Sequence, residues 1–267
     1  MIIGASSFAA PLPELRKEVD SIELYIPKLG LYSGYRLVKE SVDELHDFLS
    51  TYSIPTSIHA PYFGETPKYP VELVVDTAHM GKTQFRIIEE NISLAHELGS
   101  SVVVVHPGKI RGDRESSFMQ MVENLRLLSV QAGDCGVILG LENKEGTDPA
   151  NLCCTAEELL RAIEEVNSRF LRITFDTGHA NLTYGGDMER LRGFVKKIKG
   201  YTAHVHVHDN TGTTDEKYFG DMHFAPGEGN IDFTLLKELN FDGVYNLEVF
   251  SIEDVRTGKR MLESLLQ

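Results

Sequence analysis

The sequence predicts an α/β fold, a single (β/α)8 barrel over residues 1–267, on three observations. Short apolar segments alternate eight times with longer segments of helical periodicity, which favours parallel strands joined by right-handed crossovers. The segment SVVVVH, from Ser101, is apolar at successive positions, as expected for a strand covered on both faces. Polar side chains end most of these segments, and in a barrel the carboxyl ends of all strands open onto one face. A doubly wound open sheet is the alternative for the same alternation.

Each predicted strand is a short apolar segment bounded by polar or turn-forming residues. The eight predicted strands are residues 2–6, 21–26, 54–59, 101–106, 136–142, 171–176, 201–206 and 244–248. The eight predicted helices are residues 11–19, 37–50, 82–98, 115–132, 155–166, 188–198, 233–239 and 251–266. Residues 27–36 are expected to form a loop. Eight such repeats fit the typical barrel length of about 250 residues, and no shift in composition marks a second domain.

Composition and charge restrict the function. The chain has 26 basic and 40 acidic residues and a net charge of −14, which disfavours non-specific attraction to nucleic acid or to an anionic membrane. No apolar run approaches the roughly 18 residues that cross a bilayer, so we expect no membrane partner. The N-terminal segment does not read as a secretory signal. The cysteines Cys135, Cys153 and Cys154 are odd in number and include an adjacent pair, which indicates reduced thiols in a cytoplasmic protein.

The segment HVHVHD, which starts at His204, is rich in metal-binding side chains. His204, His206 and His208 alternate with valines, so an extended strand would direct all three imidazoles to one face. Asp221 and His223 follow after a turn, again two residues apart. Imidazole nitrogens and carboxylate oxygens together suit zinc and similar divalent metals. The alternative is a solvated loop that is rich in histidine.

Nine metal-competent side chains are expected to converge where the strands of the barrel end. They come from strand ends or from the loops that directly follow: His59, His106, Glu142, Asp176, His179, His206, Asp221, His223 and Glu248. Taken singly, each has another explanation, since a lone histidine is often a satisfied core residue and a lone carboxylate often forms an ion pair. Charged groups are rarely fully buried unless they are paired, so repeated polar endings on apolar strands indicate a common cause. We interpret the nine as a catalytic metal site.

Seven motifs contain these nine residues. They are HAPY from His59, HPG from His106, LEN ending at Asn143, DTGHA from Asp176, HVHD from His206, DMHFAPGEG from Asp221 and LE ending at Glu248. Together they resemble the endonuclease IV family (AP endonuclease family 2), which shares the xylose isomerase-like TIM barrel superfamily with sugar isomerases and epimerases. The resemblance covers nearly the whole chain, and all nine metal-binding positions of the endonuclease pattern are occupied in order.

The resemblance implies a site for up to three Zn²⁺ ions, with Mn²⁺ or Mg²⁺ as alternatives. One ion would be held by His59, His106 and Glu142, a second by Glu142, Asp176, His206 and Glu248, and a third by His179, Asp221 and His223. The implied activity is hydrolysis of a phosphodiester, such as that at an abasic DNA site, by a metal-activated water. The catalytic carboxylates would be Glu142 and Glu248.

The expected substrate contacts lie on loops at the same face. Tyr62 and Phe63 occupy the place where family members carry residues that wedge into DNA, and Lys109 and Arg111 are candidates for phosphate contacts. His208 lies where the family's His-Asn-Asp type of ending is altered, and we expect it beside the substrate. Outside the four carboxylate ligands the chain still carries a charge of −10. The expected partner is therefore a phosphodiester or sugar-phosphate substrate, with duplex DNA disfavoured.

Two other functions remain open. In a metal-dependent sugar or sugar-phosphate isomerase or epimerase, Glu142, Asp176, His206 and Glu248 would hold one metal. Glu142 and Glu248 would then exchange protons with the substrate. Asp221 and His223 discriminate between the two enzyme classes, because an isomerase does not need a third metal. A barrel that binds metal without catalysis is the remaining alternative, although open metal positions at a barrel mouth usually serve chemistry.

Overall fold

The computed structural model describes residues 1–62, 74–214 and 220–266. Within these residues eight parallel strands close into a barrel, so the predicted α/β TIM barrel is confirmed. The strands are β1 (Ile2–Ser6), β2 (Ser21–Tyr25), β3 (Tyr32–Ser33), β4 (Arg36–Leu37), β5 (Thr56–His59), β6 (Val102–Val105), β7 (Ile138–Glu142), β8 (Leu171–Asp176), β9 (Thr202–Val207) and β10 (Val244–Leu247). Strands β3 and β4 form a separate antiparallel pair, and the other eight strands form the barrel.

The helices follow the barrel strands. They are α1 (Leu12–Leu15), α2 (Lys39–Tyr52), α3 (Lys82–Leu98), α4 (Arg114–Cys135), α5 (Ala156–Val166), α6 (Thr177–Thr183), α7 (Met188–Ile198), α8 (Leu235–Leu239) and α9 (Ile252–Leu266). Each barrel strand pairs in parallel with the next barrel strand along the chain, and β10 closes the barrel against β1. All carboxyl ends of these strands therefore open at one mouth.

The barrel wall is apolar because both of its faces are covered. All four residues of β6 are buried valines, whose branched side chains suit a pleated, packed surface. Helix α4 packs a mainly apolar stripe, which includes Phe118, Met121 and Leu125, into the core. Helix α4 begins where the Asp113 side chain accepts a hydrogen bond from the Ser116 backbone N–H at 2.8 Å, and it ends at Gly136, whose φ of 68° is left-handed.

Three segments differ from the predicted elements. Helix α1 has four residues rather than nine, because the chain continues in turns after Arg16. The predicted loop at residues 27–36 contains part of the β3–β4 pair. Helix α6 was not predicted; it begins directly at the end of β8, because the Asp176 side chain accepts from the His179 backbone N–H at 2.7 Å. None of the helices in the described residues is long and apolar enough to cross a membrane.

Candidate metal centre at the mouth of the barrel

The nine predicted metal-binding side chains all lie at the mouth. His59, Glu142, Asp176 and His206 belong to the ends of β5, β7, β8 and β9. His106 and Glu248 directly follow β6 and β10, His179 lies in α6, and Asp221 and His223 lie in the loop between β9 and α8. We call these nine residues the mouth cluster. The structure thus brings together side chains that are separated by up to 189 residues in the chain.

Two imidazoles of the mouth cluster have their outer nitrogen fixed by the backbone. His59 Nδ1 lies 2.9 Å from the Ala60 carbonyl oxygen, and His223 Nδ1 lies 2.6 Å from the Glu248 carbonyl oxygen. A carbonyl oxygen only accepts hydrogen bonds, so each Nδ1 carries the proton. In the neutral rings, Nε2 of His59 and Nε2 of His223 therefore present lone pairs to the interior of the mouth.

Two further imidazoles are oriented in the same way. His179 Nδ1 lies 2.9 Å from the Asn143 carbonyl oxygen, and His206 Nε2 lies 3.1 Å from Oε2 of Glu23. The inward atoms are then His179 Nε2 and His206 Nδ1. A histidine that binds metal typically donates its other ring N–H to a carbonyl or a carboxylate, which fixes the tautomer. Four of the five predicted imidazole ligands show this arrangement.

The inward nitrogens face carboxylates. His106 Nε2 lies 3.0 Å and His59 Nε2 3.5 Å from Glu142 Oε2. His206 Nδ1 lies 3.5 Å from Glu142 Oε2, 3.8 Å from Asp176 Oδ2 and 3.6 Å from Glu248 Oε1. Lone pairs of nitrogen and of carboxylate oxygen repel each other at this range unless a cation or a proton lies between them.

A second side of the mouth is formed around Asp221. Its Oδ2 lies 3.3 Å from His179 Nε2 and 3.2 Å from His223 Nε2, and we call these three residues the Asp221 group. His223 has a φ of 49°, a strained left-handed conformation for a non-glycine residue, which is typical of functional sites. The ring of His208 stacks on that of His223 at 4.0 Å, and its Nε2 lies 3.1 Å from Asp176 Oδ1.

The loop that carries Asp221 and His223 is fixed by Asp209. This carboxylate is fully buried and accepts hydrogen bonds from the backbone N–H groups of Gly227 and Gly229, both at 3.0 Å. The backbone N–H of Gly229 is thereby committed, and a side chain at this position would meet the Asn210 carbonyl oxygen at 2.2 Å. The two glycines therefore form a turn that Asp209 holds in place.

The donor set fits divalent metal ions. Among the described residues, four inward atoms of the mouth cluster are buried and have no hydrogen-bond partner: His106 Nε2, Glu142 Oε2, His206 Nδ1 and Asp221 Oδ1. Such atoms are rare in folded proteins and call for an explanation, of which a bound ion is one. Groups of three ligand atoms within 4.8 Å of one another include His59, His106 and Glu142, and also Asp176, His179 and His208. Imidazole-rich sets of this kind suit Zn²⁺.

Burial and neighbouring charges set protonation at the mouth. Burial alone would raise the pKa of Glu142, but His106 and His206 lower it well below its usual value. Burial would likewise raise the pKa of Asp176, and the neighbouring imidazoles bring it to about 2. Burial lowers the pKa of His106 to about 3, so its ring is neutral. Burial is outweighed by neighbouring carboxylates at the other four imidazoles, whose pKa values are raised: His59, His179, His206 and His223. The carboxylates and His106 are thus in the protonation states that bind metal, whereas these four imidazoles must lose a proton when an ion binds.

Beneath the mouth, a second set of polar residues fills the barrel interior. Glu23 is fully buried, and its Oε2 lies 2.9 Å from His204 Nε2 as well as 3.1 Å from His206 Nε2. Its Oε1 accepts from Ser6 Oγ and Asn246 Nδ2, both at 3.0 Å. Ser57 Oγ donates at 3.4 Å. We call this set the floor cluster: Glu23, His204, Ser6, Ser57 and Asn246.

A cavity of about 420 Å³ lies above the mouth cluster. It is lined by ligands that include Glu142, His179 and Asp221, and by four aromatic side chains: Phe8, Tyr25, Tyr62 and Phe250. The Tyr25 and Tyr62 hydroxyls lie 3.1 Å apart, and Tyr62 stacks on His106 at 4.1 Å. Burial, together with the Tyr62 hydroxyl, raises the pKa of Tyr25, which therefore stays neutral. The volume suits a small-molecule substrate.

The predicted substrate contacts are only partly found at this cavity. Tyr62 lines it, whereas Phe63 lies outside the described residues. Lys109 Nζ lies 2.5 Å from Asp148 Oδ2, and an Arg111 guanidinium nitrogen lies 2.8 Å from Asp76 Oδ2. Neither basic residue lines the cavity, since each is held by a carboxylate distant in sequence.

His208, the remaining predicted substrate contact, is fully buried and is not among the described residues that line the cavity. Its Nε2 lies 3.1 Å from Asp176 Oδ1. The backbone of Gly178 packs so closely on the ring that an added Cβ would lie 2.0 Å from it. The alternation of His204, His206 and His208 predicted that the ring faces inward, but not how deeply it is buried.

Several cavity and floor residues were missed in the sequence. Glu23 is the lone carboxylate in the apolar segment SIELYI, and that isolation was the available signal. Lys144 and Glu145 directly follow the motif LEN; Lys144 Nζ lies 3.0 Å from both His179 Nε2 and Glu145 Oε2, and it lines the cavity. Phe8 lies two residues after the end of β1, and Phe250 lies three residues after the end of β10. Active sites of barrels are built from the loops at these strand ends.

The fold and the mouth cluster define a class of protein. The chain belongs to the xylose isomerase-like TIM barrel family, whose model matches residues 16–265. Named relatives include both endonucleases and epimerases, so the family consists of enzymes of more than one kind.

Individual relatives show the same division. An uncharacterized protein of Methanocaldococcus jannaschii is 34% identical, over 86% of this chain and 76% of its own length. A probable endonuclease 4 of Mesomycoplasma hyopneumoniae is 26% identical, over 70% of this chain and 65% of its own length. The crystal structure of a D-tagatose 3-epimerase-like protein is similar with a TM-score of 0.81 and 29% identity, over 100% of this chain and 97% of that one.

Proposed function

We propose that the protein is a metal-dependent phosphoesterase, which hydrolyses a phosphodiester or sugar-phosphate ester of small size. The observation that carries the proposal is the Asp221 group. Asp221 Oδ2 lies within 3.3 Å of inward nitrogens of both His179 and His223, in addition to the separate set around Glu142. Two sets of ligands in one mouth support more than one metal ion, and phosphoester cleavage is a reaction for which paired ions are suited.

The residues that would hold the ions are the nine of the mouth cluster. When bound, divalent ions supply an acidified water and compensate the charge that develops on the phosphoryl and leaving oxygens. Glu142 contacts His59, His106 and His206 through one carboxylate, so it is placed to connect two ion positions. The family likeness to probable endonuclease 4 supports the same chemistry.

The other cavity residues determine what the site accepts. The aromatic lining residues, which include Phe8 and Phe250, limit water around the substrate and offer apolar contact to a sugar or base ring. The neutral Tyr25 hydroxyl donates to the Tyr62 hydroxyl at 3.1 Å, and this polar pair lines the cavity. Lys109 and Arg111 each pair with a carboxylate, so these two predicted contacts would add little to the affinity for duplex DNA. A small ester therefore fits better than a long duplex.

The test is phosphodiester hydrolysis by metal-loaded protein, with bis-p-nitrophenyl phosphate and an abasic-site oligonucleotide as substrates at low salt. Low salt is needed because an acidic protein shows affinity for DNA only where few counterions compete. We expect turnover of the small ester that falls by orders of magnitude in Asp221→Asn. Wild-type protein that binds one ion and cleaves neither substrate would exclude the proposal.

A sugar epimerase is the second candidate, and one observation favours it. Glu142 and Glu248 both lie beside His206 Nδ1, at 3.5 and 3.6 Å, so two carboxylates flank one ion position, as proton exchange with a bound sugar requires. The likeness to a D-tagatose 3-epimerase-like protein supports this reading. The same Asp221→Asn variant discriminates: an epimerase keeps the ion at His206 and retains turnover of a ketose, whereas a phosphoesterase loses an ion together with activity.

A further inference from the structure

We propose that the ammonium group of Lys144 is a resident cation of the Asp221 group, where it competes with a metal ion and so limits how many ions the mouth holds. The inference rests on the proposed function only in assigning metal to this group. It concerns ion binding, which is measured without turnover.

The position of Lys144 follows from its place in the chain. It lies two residues after Glu142, beyond the end of β7, with 14% of its side chain exposed. Its Nζ lies 3.0 Å from His179 Nε2 and 3.0 Å from Glu145 Oε2. The charges of Glu145, Glu142 and Asp221 together hold the ammonium in its protonated form, although burial opposes them.

His179 Nε2 has two polar neighbours at the mouth. It lies 3.3 Å from Asp221 Oδ2 and 3.0 Å from Lys144 Nζ, while His179 Nδ1 lies 2.9 Å from the Asn143 carbonyl oxygen. The ammonium of Lys144, which has three donors and no acceptor, therefore lies beside the same two side chains that would bind an ion.

A metal ion at this group would need the same space. An ion that is bound to His179 Nε2 lies about 2.0–2.1 Å from it, on the side where Lys144 Nζ already lies at 3.0 Å. The ion and the ammonium would repel each other strongly at such a separation. Binding therefore requires that Lys144 moves away, so the ion that occupies the Asp221 group binds more weakly than it would beside a neutral side chain.

The experiment is a Zn²⁺ titration of metal-free protein by calorimetry, with bound metal counted by elemental analysis after gel filtration. We expect Lys144→Met either to bind one ion more than wild type or to bind its weakest ion at least tenfold more tightly. Lys144→Arg, which keeps the charge, should resemble wild type. Lys109→Met is the matched control, since Lys109 also pairs with a carboxylate but does not line the cavity.

Two double variants locate the effect. Lys144→Met combined with Glu145→Gln should keep the gain, which shows that the unpaired Glu145 is not the new ligand. Lys144→Met combined with Asp221→Asn should lose it. The melting temperature of each metal-free variant checks folding, and Lys144→Gln replaces Lys144→Met if the latter does not fold.

Equal ion number and equal affinities in wild type and in the charge-removing variants would overturn the inference, including the case in which neither binds an ion here. The outcome is separable from that of the proposed function. If Lys144→Met gains an ion but no form of the protein cleaves a phosphodiester, competition between Lys144 and the metal ion is supported and the proposed phosphoesterase activity is excluded.

Discussion

The floor and the mouth of the barrel each bury a central carboxylate, Glu23 and Glu142, and the two carboxylates differ in hydrogen bonding. In the floor cluster, both carboxylate oxygens of Glu23 accept hydrogen bonds, from His204 and His206 on one side and from Ser6 and Asn246 on the other. In the mouth cluster, inward atoms such as Glu142 Oε2 and His206 Nδ1 have no hydrogen-bond partner among the described residues.

This difference indicates that Glu23 supports the site, whereas Glu142 takes part in binding and chemistry. A buried carboxylate with all its acceptors used holds other groups in place, whereas buried lone pairs that face one another are stable only with a cation or proton between them. His206 connects the two regions, because its Nε2 contacts Glu23 and its Nδ1 faces the mouth. Substitutions at the mouth should therefore change metal content and activity directly, and substitutions at the floor should act through His206.

The largest effect is expected for Glu142→Gln. The amide retains the size of Glu142 but removes the charge that faces four imidazoles, so at least one ion should be lost. Ion-dependent compensation of charge is worth several kcal/mol, and we expect phosphodiesterase activity to fall by about 10³-fold or more. Elemental analysis and bis-p-nitrophenyl phosphate hydrolysis check both points. Glu123→Gln, on the exposed side of α4, is the control, and full activity in Glu142→Gln would contradict the assignment.

Removal of metal should lower the free energy of unfolding of the protein. An ion that binds only the native state contributes about 2.7 kcal/mol to this free energy when free ion is at a hundredfold excess over Kd. For a chain of this size we expect chelation to lower the Tm by about 5 °C or more. Differential scanning calorimetry before and after chelation, with Zn²⁺ added back as the control, measures the shift. An unchanged Tm after verified metal loss would argue against a built-in ion.

The floor is tested by Glu23→Gln. Loss of the carboxylate that receives the His206 Nε2 proton should weaken metal affinity by about 10–100-fold, since partners of this kind orient the ring and raise its basicity. Ser57→Ala is the matched control, because it removes the 3.4 Å contact to the same carboxylate without touching His206. Glu23→Asp, which keeps the charge, should recover part of the affinity. A Glu23→Gln variant whose Tm falls but whose metal affinity is unchanged would make Glu23 a purely structural residue.

The floor also shows what sequence reasoning could not reach. The ends of the barrel strands are ordered along the chain, so alternation alone placed all nine mouth residues on one face. Glu23 meets His204 and His206 across 181 and 183 residues, and no local pattern indicates such a pair. Likewise, Arg111 read as an exposed phosphate contact because its partner Asp76 lies in another loop. Charges on strand ends follow from topology, whereas pairings between loops depend on packing.

A smaller effect concerns the proton that a metal ion must displace at His223. In the metal-free protein, burial would lower the pKa of His223, but Asp221 and Glu248 raise it to about 9. A raised pKa stabilises the fold fully below about pH 6.5, the usual histidine value, and the contribution is lost as pH rises through about 9. The pKa of His179 is raised as well, so zinc binding at pH 7 should release at least one proton at the Asp221 group and tighten at least about tenfold per pH unit. Calorimetry in buffers of different ionisation enthalpy measures the release, and none would contradict this protonation state.

The smallest effect is expected at the rim, in Arg111→Ala. The guanidinium of Arg111 is about three-fifths exposed but lies 2.8 Å from Asp76, and the residue does not line the cavity, so its loss should change turnover of a small phosphodiester less than about twofold. Were Arg111 a phosphate contact, its loss would also reduce by about one the slope of log affinity for DNA against log salt. We expect neither change, because the carboxylate of Asp76 already offsets the charge of Arg111. Steady-state kinetics on bis-p-nitrophenyl phosphate, and binding of an abasic-site oligonucleotide at several salt concentrations, test the two expectations separately. A lower salt slope in Arg111→Ala would extend the functional surface beyond the mouth and bring duplex DNA back as a substrate.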